Sequence, residues 1–464
     1  MTHAPKKNRP PRNDDETLAR AARNMNAGNY YDAIKDYNSV FIQFHNHPPL
    51  RLNLGICYYR IGDISQAQQH LAAALSLAPQ IEQTQNAYGV LLLAQHAMRR
   101  AAAHFENALV QHPGSAMLLS NLGYAYKELG RFAEAESTLR TCLRISPNSA
   151  EAHNNLALVL LAMGNFQEAW VHHTHRPHPP SSITIPAPLE DPHTLQDRPV
   201  CLIGEQGLGD ELFFLRFVPY LRKYTQDISV ITQPKLAPVL AESGFFSTVF
   251  TQQEPPPSHY THLMYMGDLP LLFRNSLPQT PPPLPLAVNE LALLQQQTRL
   301  NSARKRPRIG LTWRAGPQNV LSTAVKLQKE IPLHTLIENL PKTCDVVILQ
   351  RHPRPDEILY IKETLGHERV FDASDVNEDL IGATAMLSLL DEYVTVSNTL
   401  LHLYVGLGKR AHVLVPHSYE WRWAMPGKSP WFPLCINYKQ TINLGWGDVF
   451  SLLARDLNEK INAR

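Results

Sequence analysis

Val200-Cys-Leu-Ile-Gly-Glu-Gln-Gly-Leu-Gly-Asp210 decides how the second half of this chain is read. Four apolar β-formers run into a glycine cluster, and Glu211-Leu-Phe-Phe-Leu-Arg-Phe-Val218 then continues with helical composition. The pattern predicts a buried parallel strand, a tight turn and a helix. Gly204, Gly207 and Gly209 let the backbone turn and approach a ligand without Cβ clashes. Asp210 falls near the first helical turn, where the dipole favours a carboxylate. Ligands of open parallel sheets bind beyond the carboxyl ends of the strands, so chemistry is expected at this turn. The spacing is neither G-x-G-x-x-G nor a phosphate loop ending in Gly-Lys-Ser/Thr. Two readings therefore stand: a ligand-facing turn centred on Asp210, or an ordinary strand-helix turn that Asp210 caps.

Upstream the chain is periodic. Gly55, Gly89, Gly123 and Ala157 stand 34 residues apart, as do Ala33, Ala67, Ala101, Ala135 and Ala169, and also Pro79, Pro113 and Pro147. Thirty-four residues is the length of a tetratricopeptide repeat, a pair of antiparallel helices that stacks into a superhelix. Small residues belong where the two helices touch, and proline where the second one ends. Repeats are expected over 14–171, behind a polar, basic tail at 1–13. Asn53, Asn121 and Asn155 share one repeat position, with Asn86 beside Ala87 in the third repeat. On a concave face these amides would form a ladder able to read an extended peptide backbone, or each would bond only within its own repeat.

Prolines crowd 172–198 and predict a linker. His172, His173, His175 and His178 lie within it, but no thiol or carboxylate completes a metal site, and none is expected. From 199 strands and helices alternate in two series, 199–300 and 301–464, with prolines at 255–257 and 281–283 marking loops. The expected architecture is an α superhelix followed by an α/β region of two Rossmann-like lobes facing a cleft.

Composition narrows the function. With 464 residues the chain has room for several domains, and a formal charge of +2 with one short basic run, Arg304-Lys-Arg-Pro-Arg308, argues against nucleic acid as partner. Cys57, Cys142, Cys201, Cys344 and Cys435 show no paired spacing, and the first residues lack the apolar core of a signal peptide. A reduced cytoplasmic protein without a transmembrane segment is expected.

Gly204-Glu-Gln-Gly-Leu-Gly-Asp210, Gly310-Leu-Thr-Trp-Arg314, Ile331-Pro-Leu333, Val396-Ser-Asn-Thr-Leu-Leu-His402, Gly406-Leu-Gly-Lys409 and Trp421-Arg-Trp423 with Ser429-Pro-Trp-Phe-Pro433 follow in this order. The set resembles bacterial proteins in which tetratricopeptide repeats are fused to a GT-B glycosyltransferase domain related to the heptosyltransferases, over roughly 14–450. The resemblance implies metal-independent transfer of a sugar from a nucleotide-sugar, without a further cofactor. The donor would lie on the second lobe and the acceptor on the first. It gives Asp210 the role of catalytic base and places Ser397, Asn398, Thr399 and His402 at the donor phosphates, with Arg314 and Lys329 as the cations. Each has a plainer reading: Ser397 or Asn398 as helix cap, Arg314 and Lys329 as surface charges, His402 as a core hydrogen-bonding group. Trp421, Trp423 and Trp431 read as core or pocket walls. Relatives commonly carry aspartate where this chain has Ser397. The Asn ladder resembles that of nuclear and cytoplasmic protein O-glycosyltransferases and implies a protein acceptor. The alternatives are transfer to a cell-surface glycan, or a degenerate transferase fold used as a protein-binding scaffold.

Overall fold

The computed structural model describes residues 14–178, 185–251, 260, 262–275, 280–300, 306–316, 329–417, 419–440 and 445–462. The tail expected over 1–13, Pro179, Pro180, the prolines at 255–257, and Arg304 with Lys305 lie outside them. Two compact units divide the chain, one holding the helices through Asn155, the other running from Leu156 onward.

Ten helices form antiparallel pairs: α1 (Asp14–Asn26), α2 (Tyr30–Phe44), α3 (Pro48–Arg60), α4 (Ile64–Leu77), α5 (Glu82–Ala94), α6 (Met98–Gln111), α7 (Ala116–Glu128), α8 (Phe132–Ile145), α9 (Ala150–Met163) and α10 (Phe166–His173). The small-residue positions are contact points. A Cβ on Gly55, Gly89 or Gly123 would sit 2.5, 2.3 or 2.5 Å from Leu71, Phe105 or Leu139, so only hydrogen fits between the paired helices. Pro79, Pro113 and Pro147 each follow the second helix of a pair by two residues, where helix cannot continue.

A further periodic position escaped the sequence reading. Gly28, Gly62, Gly130 and Gly164 turn from the first helix of a pair to the second with φ between 73° and 86°; the same place in the third pair is His96, with φ 56°. The left-handed region costs a side-chain-bearing residue about 1 kcal/mol or more.

The second unit holds two parallel sheets and a short ribbon. Strands β1 (Val200–Ile203), β2 (Ile228–Thr232), β3 (Thr248–Thr251) and β4 (His262–Tyr265) lie in the order β3-β2-β1-β4. Val200 pairs with Ile228 on one side and His262 on the other, which buries the apolar run of β1 completely. Next come β5 (Arg308–Leu311), β6 (Arg314–Ala315), β7 (Lys329–Glu330), β8 (Asp345–Ile348), β9 (Val370–Asp372), β10 (Glu392–Thr395), β11 (His412–Val415) and β12 (Ile436–Lys439). β6 and β7 form an antiparallel ribbon, and the rest a six-stranded sheet ordered β12-β11-β10-β5-β8-β9. Numbered within that sheet the order reads 6-5-4-1-2-3, the doubly wound arrangement whose switch point lies between β5 and β10. The three residues of β9 and the half-polar β12 carry weak patterns; they and the helix Gly447–Asn462, whose Val449, Phe450, Leu453, Leu457 and Ile461 pack into the core of the second sheet, are additions to the sequence reading.

Described parts of the expected linker are packed against the α/β region. Arg176 is buried, Ile185 packs on the first sheet beside Cys201 and Ile231, and Pro192–Leu195 forms a 3-10 turn.

Replacing His96 by glycine should relieve the left-handed backbone and raise the urea midpoint of the repeats by an amount worth about 0.5–1 kcal/mol. A lowered midpoint would mean that the imidazole makes good its own strain.

Candidate active site

The helix Leu208–Phe214 follows the β1 turn and places Asp210 in its first turn, as expected. The glycines before it act by close approach. None of Gly204, Gly207 and Gly209 has positive φ, so the chain turns here without left-handed backbone. A Cβ on Gly204 would lie 2.5 Å from the Glu211 carboxylate, and one on Gly209 3.3 Å from the His402 ring. Gly207 is the looser one, with only Asp210 Oδ2 near it, at 3.6 Å. Gly209 therefore lets the first sheet's helix seat against Thr399–Gly406, the helix that follows β10 of the second sheet.

Asp210 is joined to the second sheet through charge. Its Oδ1 accepts from Arg422 Nη2 at 2.6 Å, and the side chain stays 35% exposed. Arg422 Nη1 donates to Glu420, whose other oxygen accepts from Lys329 Nζ at 2.7 Å and Ser397 Oγ at 3.0 Å. The result is a continuous chain, Asp210–Arg422–Glu420–Lys329, running between the carboxyl ends of the two sheets. Burial would raise the Glu420 carboxyl, but Lys329 and Arg422 override it and hold it well below the usual carboxylate range. Burial works against the Arg422 charge as well, and the carboxylates of Glu420 and Asp210 restore it. Arg422 Nε is buried without a hydrogen-bond partner among the described residues.

Phe213 lies between two guanidiniums, Arg422 at 4.3 Å and Arg216 at 4.2 Å from its ring centroid. Arg216 is buried and donates to the carbonyls of Phe213, Pro281 and Trp431; no carboxylate bonds it among the described residues. The neighbourhood of Asp210 therefore holds three basic side chains, Arg422, Arg216 and Lys329, against two carboxyl side chains, Asp210 and Glu420.

The other expected residues divide. Lys329 and Ser397 belong to the chain just described. Asn398 is the cap of the helix after β10, accepting the Leu401 N–H at 2.9 Å, which is its plainer reading. Thr399 opens that helix, half-buried. His402 does not reach an open surface: it packs edge-on against Phe213 and Phe432, and burial, then Arg422 and Arg216, keeps it neutral. Arg314 departs furthest from expectation. Its guanidinium is bound to Glu357 and to the His352 carbonyl at 3.0 Å, so its charge serves the start of the helix Pro355–Leu365. Trp423 and Trp431 are buried walls, and Trp421 is half-buried beneath Arg422.

At the carboxyl ends of β1 and β4 sits a group that the sequence did not disclose. Arg176 donates to Glu205 and, at 2.7 Å, to Asp268; His178 contacts Glu205 at 2.6 Å and stacks on Tyr265 at 4.1 Å. His172 turns instead toward Glu168 and His175 toward Thr174, so the four histidines of this stretch do not converge. In the repeats, Asn121 donates to Asn86, the residue beside the third repeat's ladder position, at 2.7 Å. Asn53 instead donates to Tyr37 at 2.9 Å, and Asn155 is buried.

Glu211, next to Asp210, is a further residue that the sequence reading passed over. Buried behind Gly204, it accepts from Thr232 Oγ1 and, at 3.4 Å, from Gln233 Nε2; burial pushes its carboxyl up to about 7 against those bonds. The folded chain therefore keeps a proton that the unfolded chain loses near pH 4.5, so this group's contribution to stability falls as pH rises to about 7 and is level above. Glu211→Gln should remove that slope, worth about 3 kcal/mol between pH 4.5 and 8, in urea midpoints compared with the parent. Parallel profiles would show that Glu211 titrates normally.

Models of the tetratricopeptide repeat match residues 25–88 and 114–173. Protein FlbA of Caulobacter vibrioides is 25% identical over 417 residues, 82% of this chain and 68% of its own length. The anaphase-promoting complex subunit cut9 of Schizosaccharomyces pombe is 30% identical over 142 residues, 29% of this chain and 21% of cut9. Among solved structures, a tetratricopeptide-repeat protein of Thermus thermophilus is 19% identical, covering 34% of this chain and 87% of its own, with a TM-score of 0.31. The N-terminal part of this chain is thus an array of tetratricopeptide repeats, followed by an α/β region of parallel sheets.

Proposed function

We propose that the α/β region is a GT-B glycosyltransferase that moves a sugar from a nucleotide-sugar to an acceptor, and that the repeats recruit the acceptor, a protein. One observation carries the reading: Asp210–Arg422–Glu420–Lys329 joins the carboxyl ends of two parallel sheets, where ligands of such sheets bind.

The chemistry asks for three things. A base must take the acceptor hydroxyl proton as its oxygen bonds to the anomeric carbon. Asp210 has one oxygen fixed by Arg422 and a partly exposed carboxylate, which suits a positioned base. Cations and hydrogen-bond donors must receive the diphosphate as its bond to that carbon breaks. Lys329, Arg422 with its unpartnered Nε, and the Ser397 hydroxyl stand together there, and the cationic role expected of Arg314 passes to Arg422. Exclusion of water is supplied by the buried ring cluster of Phe213, Trp431 and Phe432. Ser397 also fits its surroundings. An aspartate there would face Glu420 across a hydrogen-bond distance, two carboxylates in one buried place; here Glu420 supplies the carboxylate instead.

Tetratricopeptide arrays bind other chains on their stacked helices, and cut9, a subunit of a complex, carries a similar segment. Asn86 and Asn121, half-buried and adjacent on neighbouring repeats, are the amides we assign to a peptide, which would have to compete with their mutual bond. A second reading, a scaffold without catalysis, is favoured by the Arg422 bond that occupies Asp210 and by the Glu357 bond that occupies Arg314. Hydrolysis of a nucleotide-sugar by the purified chain separates the two.

Asp210→Asn should lower turnover about 10²-fold or more while donor affinity stays within a few-fold, measured by donor hydrolysis and calorimetry; near-normal turnover removes Asp210 from the chemistry. Asn86→Ala with Asn121→Ala should reduce modification of a protein acceptor and spare donor hydrolysis. Undiminished modification, or a glycan as the acceptor, would reject peptide reading by the amides.

A further inference from the structure

The helix that bears Asp210 is gripped at both ends by residues 170–178, a stretch that belongs to neither sheet. Ahead of the helix, Glu205 opens the turn that runs to Asp210, and its side chain and that of Arg176 are each 2% exposed. One Glu205 oxygen accepts from Arg176 Nε at 3.1 Å, from Arg176 Nη2 and from the Gly267 N–H at 3.2 Å; the other meets His178 Nδ1 at 2.6 Å. Arg176 Nη1 donates to Asp268 at 2.7 Å and to the His173 carbonyl at 3.1 Å, so all three guanidinium nitrogens are engaged. At the far end of the helix, the Phe214 ring packs on Trp170 at 6.4 Å and on His173 at 5.6 Å. A Cβ on Gly267 would lie 2.6 Å from both Arg176 and Glu205, so only glycine beyond β4 admits this pair.

A buried cluster of this kind holds geometry more than it adds stability. Desolvating the charged groups offsets most of their attraction, and well-packed apolar replacements of such triads are often neutral. What the guanidinium supplies is direction, because a planar fork bound to two carboxylates and a carbonyl leaves Glu205 one place to stand. Burial pushes the Asp268 carboxyl up and Arg176 opposes it. Without the guanidinium, Glu205 and Asp268 would face each other in a closed space, and the turn would have to move. Asp210 is also held by Arg422 from the second sheet, but that bond sets one distance and not the path of the turn beneath it. A misplacement of about 1 Å at a reacting group can lower a rate about 10²-fold.

We infer that Arg176 is a positioning residue for Asp210, acting through Glu205 and the turn between them. Its effect on rate rests on the transferase reading; its effect on the turn does not. Arg176→Lys keeps the charge and loses the fork. In the full chain it should lower turnover in donor hydrolysis about tenfold or more, with KM for the donor within about twofold. In the Asp210→Asn background the same substitution should lower turnover no further, since the group through which it acts is gone. Hydrogen exchange, which needs no activity, should quicken about tenfold or more at the amides of 206–214 and stay unchanged in the six-stranded sheet. His178→Ala, an exposed change that spares folding, frees the other Glu205 oxygen and should quicken the same amides, so it carries the test where Arg176→Lys does not fold. Equal losses of turnover in the parent and Asp210→Asn backgrounds, or exchange at 206–214 unchanged in both variants, would overturn the inference. A parent chain that hydrolyses no nucleotide-sugar removes the transferase reading, and the exchange measurement then decides by itself whether Arg176 fixes the turn.

Discussion

The carboxylate of Asp210 and the guanidinium of Arg422 meet at 2.6 Å although they lie 212 residues apart in the chain, and the geometry of the α/β region depends on that bond. It closes a chain of charges that would be costly to bury singly. Removing one partner of a buried pair such as Arg422 and Glu420 typically costs about 3–5 kcal/mol, because the other is left desolvated and alone. Glu420 is the pivot: it neutralises Arg422 on one oxygen and Lys329 on the other, and takes the Ser397 hydroxyl as well. The two sheets thus present Asp210 and Lys329 toward a common place, with a fixed relation that neither sheet could impose by itself.

Close packing makes that bond possible. The helix bearing Asp210 can approach the helix after β10 because Gly209 has no side chain where His402 lies, and Phe213 on the same helix fills the space between Arg422 and Arg216. Glu211 faces the opposite way, into the turn behind Gly204. Adjacent residues 210 and 211 are therefore sent to two environments, one partly open and ionic, the other closed and held by Thr232 and Gln233.

How much of this was legible in the sequence follows from the range of each interaction. The repeats were, because their helix contacts recur locally every 34 residues; His96 was missed because its φ, not its residue type, marks the position. The β1 strand, its turn and Asp210 were legible from apolar β-formers ending in glycine. Arg422 and Glu420 were not, since Asp210 and Lys329, which they bind, come from segments far away in the chain and no spacing rule links them. Arg314 misled for the same reason: a motif shows that an arginine is present, not that Glu357 will claim it. Asn398 shows the converse, since a residue that suits a phosphate site also suits a helix cap, and here the cap geometry is the one formed.

The ribbon of β6 and β7 brings these strands of reasoning together. Arg314 pairs with Glu330 and Ala315 with Lys329, and successive side chains of a strand point to opposite faces. On β7 that alternation sends Lys329 to the charge chain at Asp210 and Glu330 to a cavity walled by Trp313, Tyr360 and Trp446. A slip of one residue in the pairing would exchange the two, placing a carboxylate against Glu420 and an ammonium at the cavity rim. Like charges would then meet in the buried end of the site. The chain resists that slip through Trp313, whose carbonyl accepts the Ile331 N–H at 2.8 Å, and through Gln350, whose side-chain oxygen holds the backbone N–H groups of both Trp313 and Arg314. Two hydrogen bonds from one glutamine at the end of β8 therefore fix which face each ribbon residue takes, and with it the separation between the cationic end of the site and the aromatic cavity.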